Sequence, residues 1–203
     1  MRKKRKTDLR VIKTKQKLAN TLLEMMTSES IDNIKISSLC THAGVSRATF
    51  YNNFNVIYDV LNYHFENTKN ELFNTYMNLF SREHILFEDA TKYIAQQVLD
   101  YLFINKDVIT SIFKSNYSPR LNDMMSSFFK KSIIEFMEHY PEEFGINDPT
   151  IKDLLVSFVA GGCSYLLVCF FTSGAHLEKE KVMMTTIDIM NKVFSLAKEK
   201  FLA

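Results

Sequence analysis

The 203-residue chain has no tryptophan, five glycines, three prolines and three cysteines. Glycine and proline turn short strands back on themselves, and no long run alternates polar with apolar residues, so a β-sandwich or barrel is not expected. Cys40, Cys163 and Cys169 are odd in number and lack CxxC spacing. That argues against a disulfide framework and fits a reducing, cytoplasmic setting. No apolar segment follows the charged N-terminus, so nothing there reads as a secretory signal. The common signatures of catalysis are missing as well: no GxGxxG, no GxxxxGK[ST], no GxSxG and no HExxH. The five histidines (42, 64, 84, 139 and 176) are scattered without metal-ligand spacing, and His139 beside Glu138, Glu142 and Glu143 reads better as a solvated loop edge than as a metal site. Neither an enzyme nor a cofactor is expected.

What the chain does carry is positive charge at one end. Residues 1–17 hold nine Lys or Arg against one Asp, a net +8 in a chain whose total is +2, which leaves −6 for the rest. A basic end on a mildly acidic body suits a polyanionic partner met at that end. Residues 1–6, MRKKRK, are too charged to pack and read as a flexible arm, either laid along nucleic-acid phosphates or simply solvated. Leu9, Ile12, Ala19, Leu22, Leu23 and Met26 then recur at helical spacing, which predicts a first helix over 7–28. Lys13, Lys15 and Lys17 near its start meet phosphate or lie on a solvated face. Residues 30–33 break that helix, and Ile34 and Ile36 anchor the linker.

Residues 34–61 are the most informative stretch. Ser37 and Ser38 are placed to cap a short helix whose inner face is Leu39, Cys40 and Ala43. Gly44 ends it, because glycine reaches the left-handed conformation at little steric cost. Val45 tucks under the turn, and Ser46 caps a second short helix with Phe50 and Phe54 facing inward. Arg47, Ala48, Thr49, Tyr51, Asn52 and Asn53 are left outside. A helix of barely two turns does not hold itself together in water, so its neighbours must stabilise it. Short helix, glycine turn and short polar-faced helix together describe a helix-turn-helix, which presents its second helix to the DNA major groove. Arg47 suits guanine O6 and N7, Asn52 suits adenine N6 and N7, and Ala48 is small enough to pack on a thymine methyl. Thr49, Tyr51 and Asn53 carry groups suited to phosphate oxygens, which set register rather than sequence.

Ala43-Gly44-Val45-Ser46-Arg47, Thr49-Phe50-Tyr51, Phe54 and Tyr58-Asp59-Val60-Leu61 occur in order and without gaps, and in this the stretch resembles the DNA-binding domain of TetR-family transcriptional regulators. The resemblance covers about residues 10–65. A weaker one, carried by Phe158-Val-Ala-Gly-Gly and Phe170-Phe171, is to a regulatory domain common in regulators of Gram-positive bacteria. The resemblance implies an all-α fold: a three-helix helix-turn-helix DNA-binding domain over 1–65 and a helical regulatory and dimerisation domain over 66–203. It implies double-stranded DNA as partner, with Lys35, Ser37, Ser46, Arg47, Ala48, Thr49, Tyr51, Asn52 and Asn53 as the contacting residues. Three positions depart from the family pattern. Ile57 stands where a lysine is usual, Lys35 where a threonine is usual and Asn53 where a histidine is usual; the fold tolerates all three, but the phosphate contacts change.

Behind this head, helical spacing predicts a long helix over 56–80, which in the family joins head to body, and further helices over 88–104, 108–113 and 119–140. Residues 81–84, 105–107 and 116–119 read as breaks, and 141–149 as a loop. Residues 154–177 run 24 long without a formal charge, enough to cross a bilayer of about 30 Å. The stretch also carries Ser157, Gly161, Gly162, Ser164, Thr172 and Ser173, and a helix apolar all round is equally what a buried subunit interface requires. The resemblance implies that this helix (about 150–173) and the last one (176–201) pair across a twofold axis, so a homodimer is expected rather than a membrane span. Cys163 and Cys169 are expected to fill that interface. The many Phe, Tyr and Met side chains of the body suit a packed core or an effector pocket equally. The expectation is a cytoplasmic regulator, a repressor on a palindromic operator released by a small-molecule effector or a partner protein. A helical interaction protein with weakened DNA binding and a membrane-tethered regulator are the alternatives.

Overall fold

The computed structural model describes residues 9–82, 85–173 and 178–201, and every regular element among them is a helix. In order these are α1 (Leu9–Met26), α2 (Ile36–His42), α3 (Arg47–Tyr51), α4 (Ile57–Arg82), α5 (Phe87–Ile104), α6 (Lys106–Phe113), α7 (Ser118–His139), α8 (Pro141–Phe144), α9 (Pro149–Thr172) and α10 (Lys179–Phe201). The all-α expectation therefore holds, with helix ends within a few residues of the sequence reading. The arm over 1–6, the start of the first helix at Thr7, part of the break at 83–84, and His176 and Leu177 lie outside the described residues.

Three helices begin for a local reason. The amides of Asn55 and Val56 donate to Asp59 Oδ2 at 2.8 and 3.1 Å, which satisfies free donors at the head of α4. Pro119 sits in the first turn of α7, where its missing N–H costs nothing. Asp148 caps α9, accepting from the amides of Thr150 and Ile151. Two local expectations need correction. Residue Lys35, not a serine, occupies the N-cap of α2 and makes no side-chain cap bond, while Ser37 and Ser38 fall inside the helix as acceptors for Thr41 and His42. The segment read as a loop over 141–149 contains α8, a single turn that buries Phe144 and stops at Gly145 with φ +61°. Two glutamates after Pro141 masked the turn in the sequence, because only Phe144 marks an inner face.

Packing makes the head and body one piece. A single apolar core runs from Leu18, Leu22, Leu39 and Phe50 through Val60, Leu61 and Phe65 to Ile109, Ile112, Phe113, Phe171 and Val182. A second cluster at the far end joins Ile133, Met137, Phe144, Val156 and Phe194. Residue 65, where the sequence suggested a boundary, lies within α4. Polar contacts reinforce the joint: Asp32, before α2, accepts from Tyr58 Oη at 2.6 Å and from the Asn116 amide at 3.0 Å. Tyr58 stacks on Tyr117 with ring centroids 5.5 Å apart, and Tyr117 Oη donates to Asn62 on α4.

The helix α9 packs most extensively against α7, burying Val156, Val159, Ala160, Cys163, Ser164, Leu167, Phe170 and Phe171. Its other side is left open: Leu154, Phe158 and Tyr165 are exposed by 62%, 70% and 66%. Ile189 and Leu196 on α10 are likewise exposed. Of the two cysteines of α9, Cys163 is buried and Cys169 is exposed, so they do not share one environment. Among the described residues α9 is the one helix long and apolar enough to cross a membrane.

Candidate nucleic-acid interface

The turn between α2 and α3 follows from one glycine. Gly44 adopts φ +58°, the Gly44 amide donates to Thr41 O at 3.1 Å, and the Val45 amide reaches back to Cys40 O at 3.0 Å. That pair of bonds is the Schellman arrangement, which ties off the last carbonyls of a helix when the residue after the cap is left-handed. A Cβ built on Gly44 would meet Lys17 Nζ at 3.5 Å, an ordinary contact, so conformation rather than space demands glycine here.

α3 then starts on Ser46, whose backbone is extended and whose side-chain oxygen accepts the Thr49 amide at 3.0 Å. The Ser46 and Thr49 hydroxyls also bond each other at 2.8 Å. At five residues α3 is too short to be stable alone. Its inner face supplies the anchor: Phe50 is fully buried, and Phe54 meets Phe50 and Tyr63 with centroids 6.0 and 5.9 Å apart. On the opposite side Arg47, Ala48, Tyr51 and Asn52 are exposed. Thr49 and Asn53 are half-buried, and Asn53 Nδ2 donates to Thr49 O at 2.8 Å, so that amide nitrogen closes the end of α3. Lys35 and Ser37, both exposed, stand at the start of α2. Burial pushes the Cys40 thiol above its ordinary value, with the Arg47 charge opposing.

Two contributors were not legible in the sequence. Lys15 was read as phosphate-facing or solvated, yet its ammonium lies 5.2 Å from the Phe54 ring centroid and 5.5 Å from that of Tyr63, a cation–π position that links α1 to the inner face behind α3. The joint around Asp32 brings together residues 26 and 84 positions apart in the chain, and no local pattern marks such a pair.

No family model and no curated protein matches the sequence. Solved structures do match the fold. A structure named "Dihydroxyacetone kinase operon activator DhaS" superposes with a TM-score of 0.70 at 17% identity, over 91% of this chain and 98% of that one. A TetR-family transcriptional regulator from Streptomyces coelicolor gives 0.68 at 12% identity, over 93% and 83%. A TetR transcriptional regulator from Streptococcus agalactiae gives 0.58 at 17% identity, over 90% and 96%. The chain thus has the fold of TetR-family regulators, along nearly its whole length.

Proposed function

We propose that the chain is a DNA-binding transcriptional regulator of the TetR family that acts as a homodimer on an operator of two half-sites. The observation that carries this is α3 itself: a helix of five residues held from behind by Phe50, with Arg47, Ala48, Tyr51 and Asn52 turned outward. In this reading Arg47, Ala48 and Asn52 meet base edges, and Lys35, Ser37, Ser46, Thr49, Tyr51 and Asn53 meet backbone phosphates. Residues 1–65 form the DNA-binding part and 66–203 the regulatory and dimerisation part.

Dimerisation through α9 and α10 is supported by the open apolar stripe on them. Leu154, Phe158 and Tyr165 follow at intervals of four and seven, which puts them on one side of α9. A twofold axis through that stripe would cover it with its own copy. A single apolar side backed by a packed core suits a subunit contact better than a lipid span, so a cytoplasmic protein is the reading, and fractionation into soluble and membrane pools checks it. Repression requires only that a promoter be occupied. The operon activator with the same fold makes activation the second reading, and a promoter reporter distinguishes the two signs. Regulation would come from an effector, a small molecule or a partner protein, that favours a body conformation in which the heads no longer match the groove spacing.

Selection of bound fragments from genomic DNA tests the proposal. A shared, roughly palindromic sequence is expected; recovery of unrelated fragments would favour a helical interaction protein instead. On the selected operator, Arg47→Ala should weaken specific binding by about 1–3 kcal/mol and relax one base position. An unchanged sequence preference in that variant would remove Arg47 from base reading.

A further inference from the structure

The head meets the body through two kinds of contact. One is apolar: Leu22 of α1 shares a core with Ile109 and Ile112 of α6. Burial of that kind resists separation but sets no angle, since it has no preferred direction. The other is polar and converges on one side chain. Asp32, in the connection from α1 to α2, accepts on both carboxylate oxygens: Oδ1 from Tyr58 Oη at 2.6 Å and Oδ2 from the Asn116 amide at 3.0 Å. Hydrogen bonds weaken steeply when misaligned, so this pair does set an angle.

The two donors belong to separate elements. Tyr58 lies in the first turn of α4, the helix that leads out of the head. Asn116 lies between α6 and α7, and α7 packs most extensively on α9, which carries the exposed stripe proposed as the subunit contact. Tyr58 is itself held in place. Its ring stacks on Tyr117, 24° from parallel, and Tyr117 Oη donates to Asn62, one turn further along α4. The phenol also stays a donor at any ordinary pH, because the bond to Asp32, followed by burial and the carboxylate's charge, pushes it up to about 12.

Two heads on one duplex make such an angle matter. One base pair added between half-sites moves the second by about 3.4 Å and turns it by about 35° around the duplex. We propose that Asp32 sets the half-site spacing this protein accepts: a positioning residue that acts without touching DNA, by fixing the head's angle on the body through Tyr58 and the Asn116 amide. The effect on spacing rests on the operator-binding reading above; the fixed angle does not.

Two measurements test this, and the first needs no DNA. Asn20 on α1 and Lys92 on α5 are exposed. Spin labels at Asn20→Cys and Lys92→Cys, in a full chain carrying Cys169→Ser and diluted with unlabelled protein, give the head-to-body distance distribution by pulsed dipolar spectroscopy. A single narrow distribution is expected with Asp32 intact and a wider one in Asp32→Ala. Asp32→Asn, whose carbonyl oxygen keeps one of the two acceptors, should fall between them. The second is a gel-shift series on the selected operator with one base pair inserted or removed between its half-sites. The parent should lose at least about fivefold in affinity and Asp32→Ala less than about twofold, five being the lower end for two net hydrogen bonds strained at the joint. An isolated half-site should bind both proteins alike. A role in stability alone would lower the melting temperature yet leave the distribution and the spacing penalty as they are. An unwidened distribution in folded Asp32→Ala overturns the fixed angle. A parent indifferent to spacing, or a full spacing penalty in Asp32→Ala, overturns the role in spacing. Recovery of no shared operator would defeat the DNA-binding reading and the spacing role with it, while the distance measurement still decides the fixed angle.

Discussion

Phe158→Asp is the most incisive perturbation of the proposed dimer. Phe158 is 70% exposed on α9, and a phenylalanine side chain offers on the order of 200 Å². Covering it would remove about 140 Å² of apolar surface from water, worth about 3.5 kcal/mol per copy at 25 cal/mol per Å². A twofold axis uses the residue twice, so the gross figure is about 7 kcal/mol for the pair. Ordering of side chains at the contact takes part of this back. Aspartate forfeits the apolar gain and adds a carboxylate that must be desolvated to dimerise. We expect the dimer Kd to rise at least about 1,000-fold, equivalent to about 4 kcal/mol. The monomer should hardly notice, because an exposed substitution usually shifts stability by no more than about 0.5 kcal/mol. Sedimentation velocity across a concentration series reads the first quantity and a thermal melt the second. If Phe158→Asp sediments as a dimer at the parent's concentrations, the α9 stripe is not the subunit contact. A variant that dissociates should also lose affinity for an operator of two half-sites far more than for one half-site.

Other outcomes follow from local geometry. Gly44→Ala keeps an ordinary contact with Lys17 but places a side chain at φ +58°, so a loss of about 1–2 kcal/mol is expected in a denaturant titration; no loss would mean the turn can relax. Burial lowers the His64 pKa below 6.5, with the ring nitrogen Nε2 2.9 Å from Tyr101 Oη. The neutral ring's contribution is therefore complete above about pH 6.5 and is lost as pH falls below that value, where the unfolded chain takes up a proton more readily than the folded one. His64→Gln should flatten this part of the stability profile, and an unaltered slope would assign it to other groups. Thiol labelling at pH 8 should modify the exposed Cys169 first, ahead of Cys40 and Cys163, both buried and both with raised pKa values. Cys169 should also react faster in Phe158→Asp than in the parent. Equal rates for Cys163 and Cys169 would contradict the packing of α9.

The sequence by itself determined whatever repeats within a turn or two of the chain. Apolar residues at helical intervals marked out the helices, Gly44 foretold the left-handed turn, and Ser46 with Phe50 and Phe54 foretold a capped helix with one buried side. These are legible because capping, backbone conformation and amphipathic spacing act between residues at most about four positions apart. The same local logic placed the caps of α2 on Ser37 and Ser38, where the fold uses Lys35, and missed α8, whose single apolar anchor leaves no period to read. Only the tertiary structure decided that Asp32 joins Tyr58 and the Asn116 amide, that Lys15 leans on Phe54 and Tyr63, and that Cys163 is buried while Cys169 is exposed. Each of these depends on how whole helices pack. A shift of one helix by a single turn would exchange the partners while leaving every local pattern in the chain unchanged.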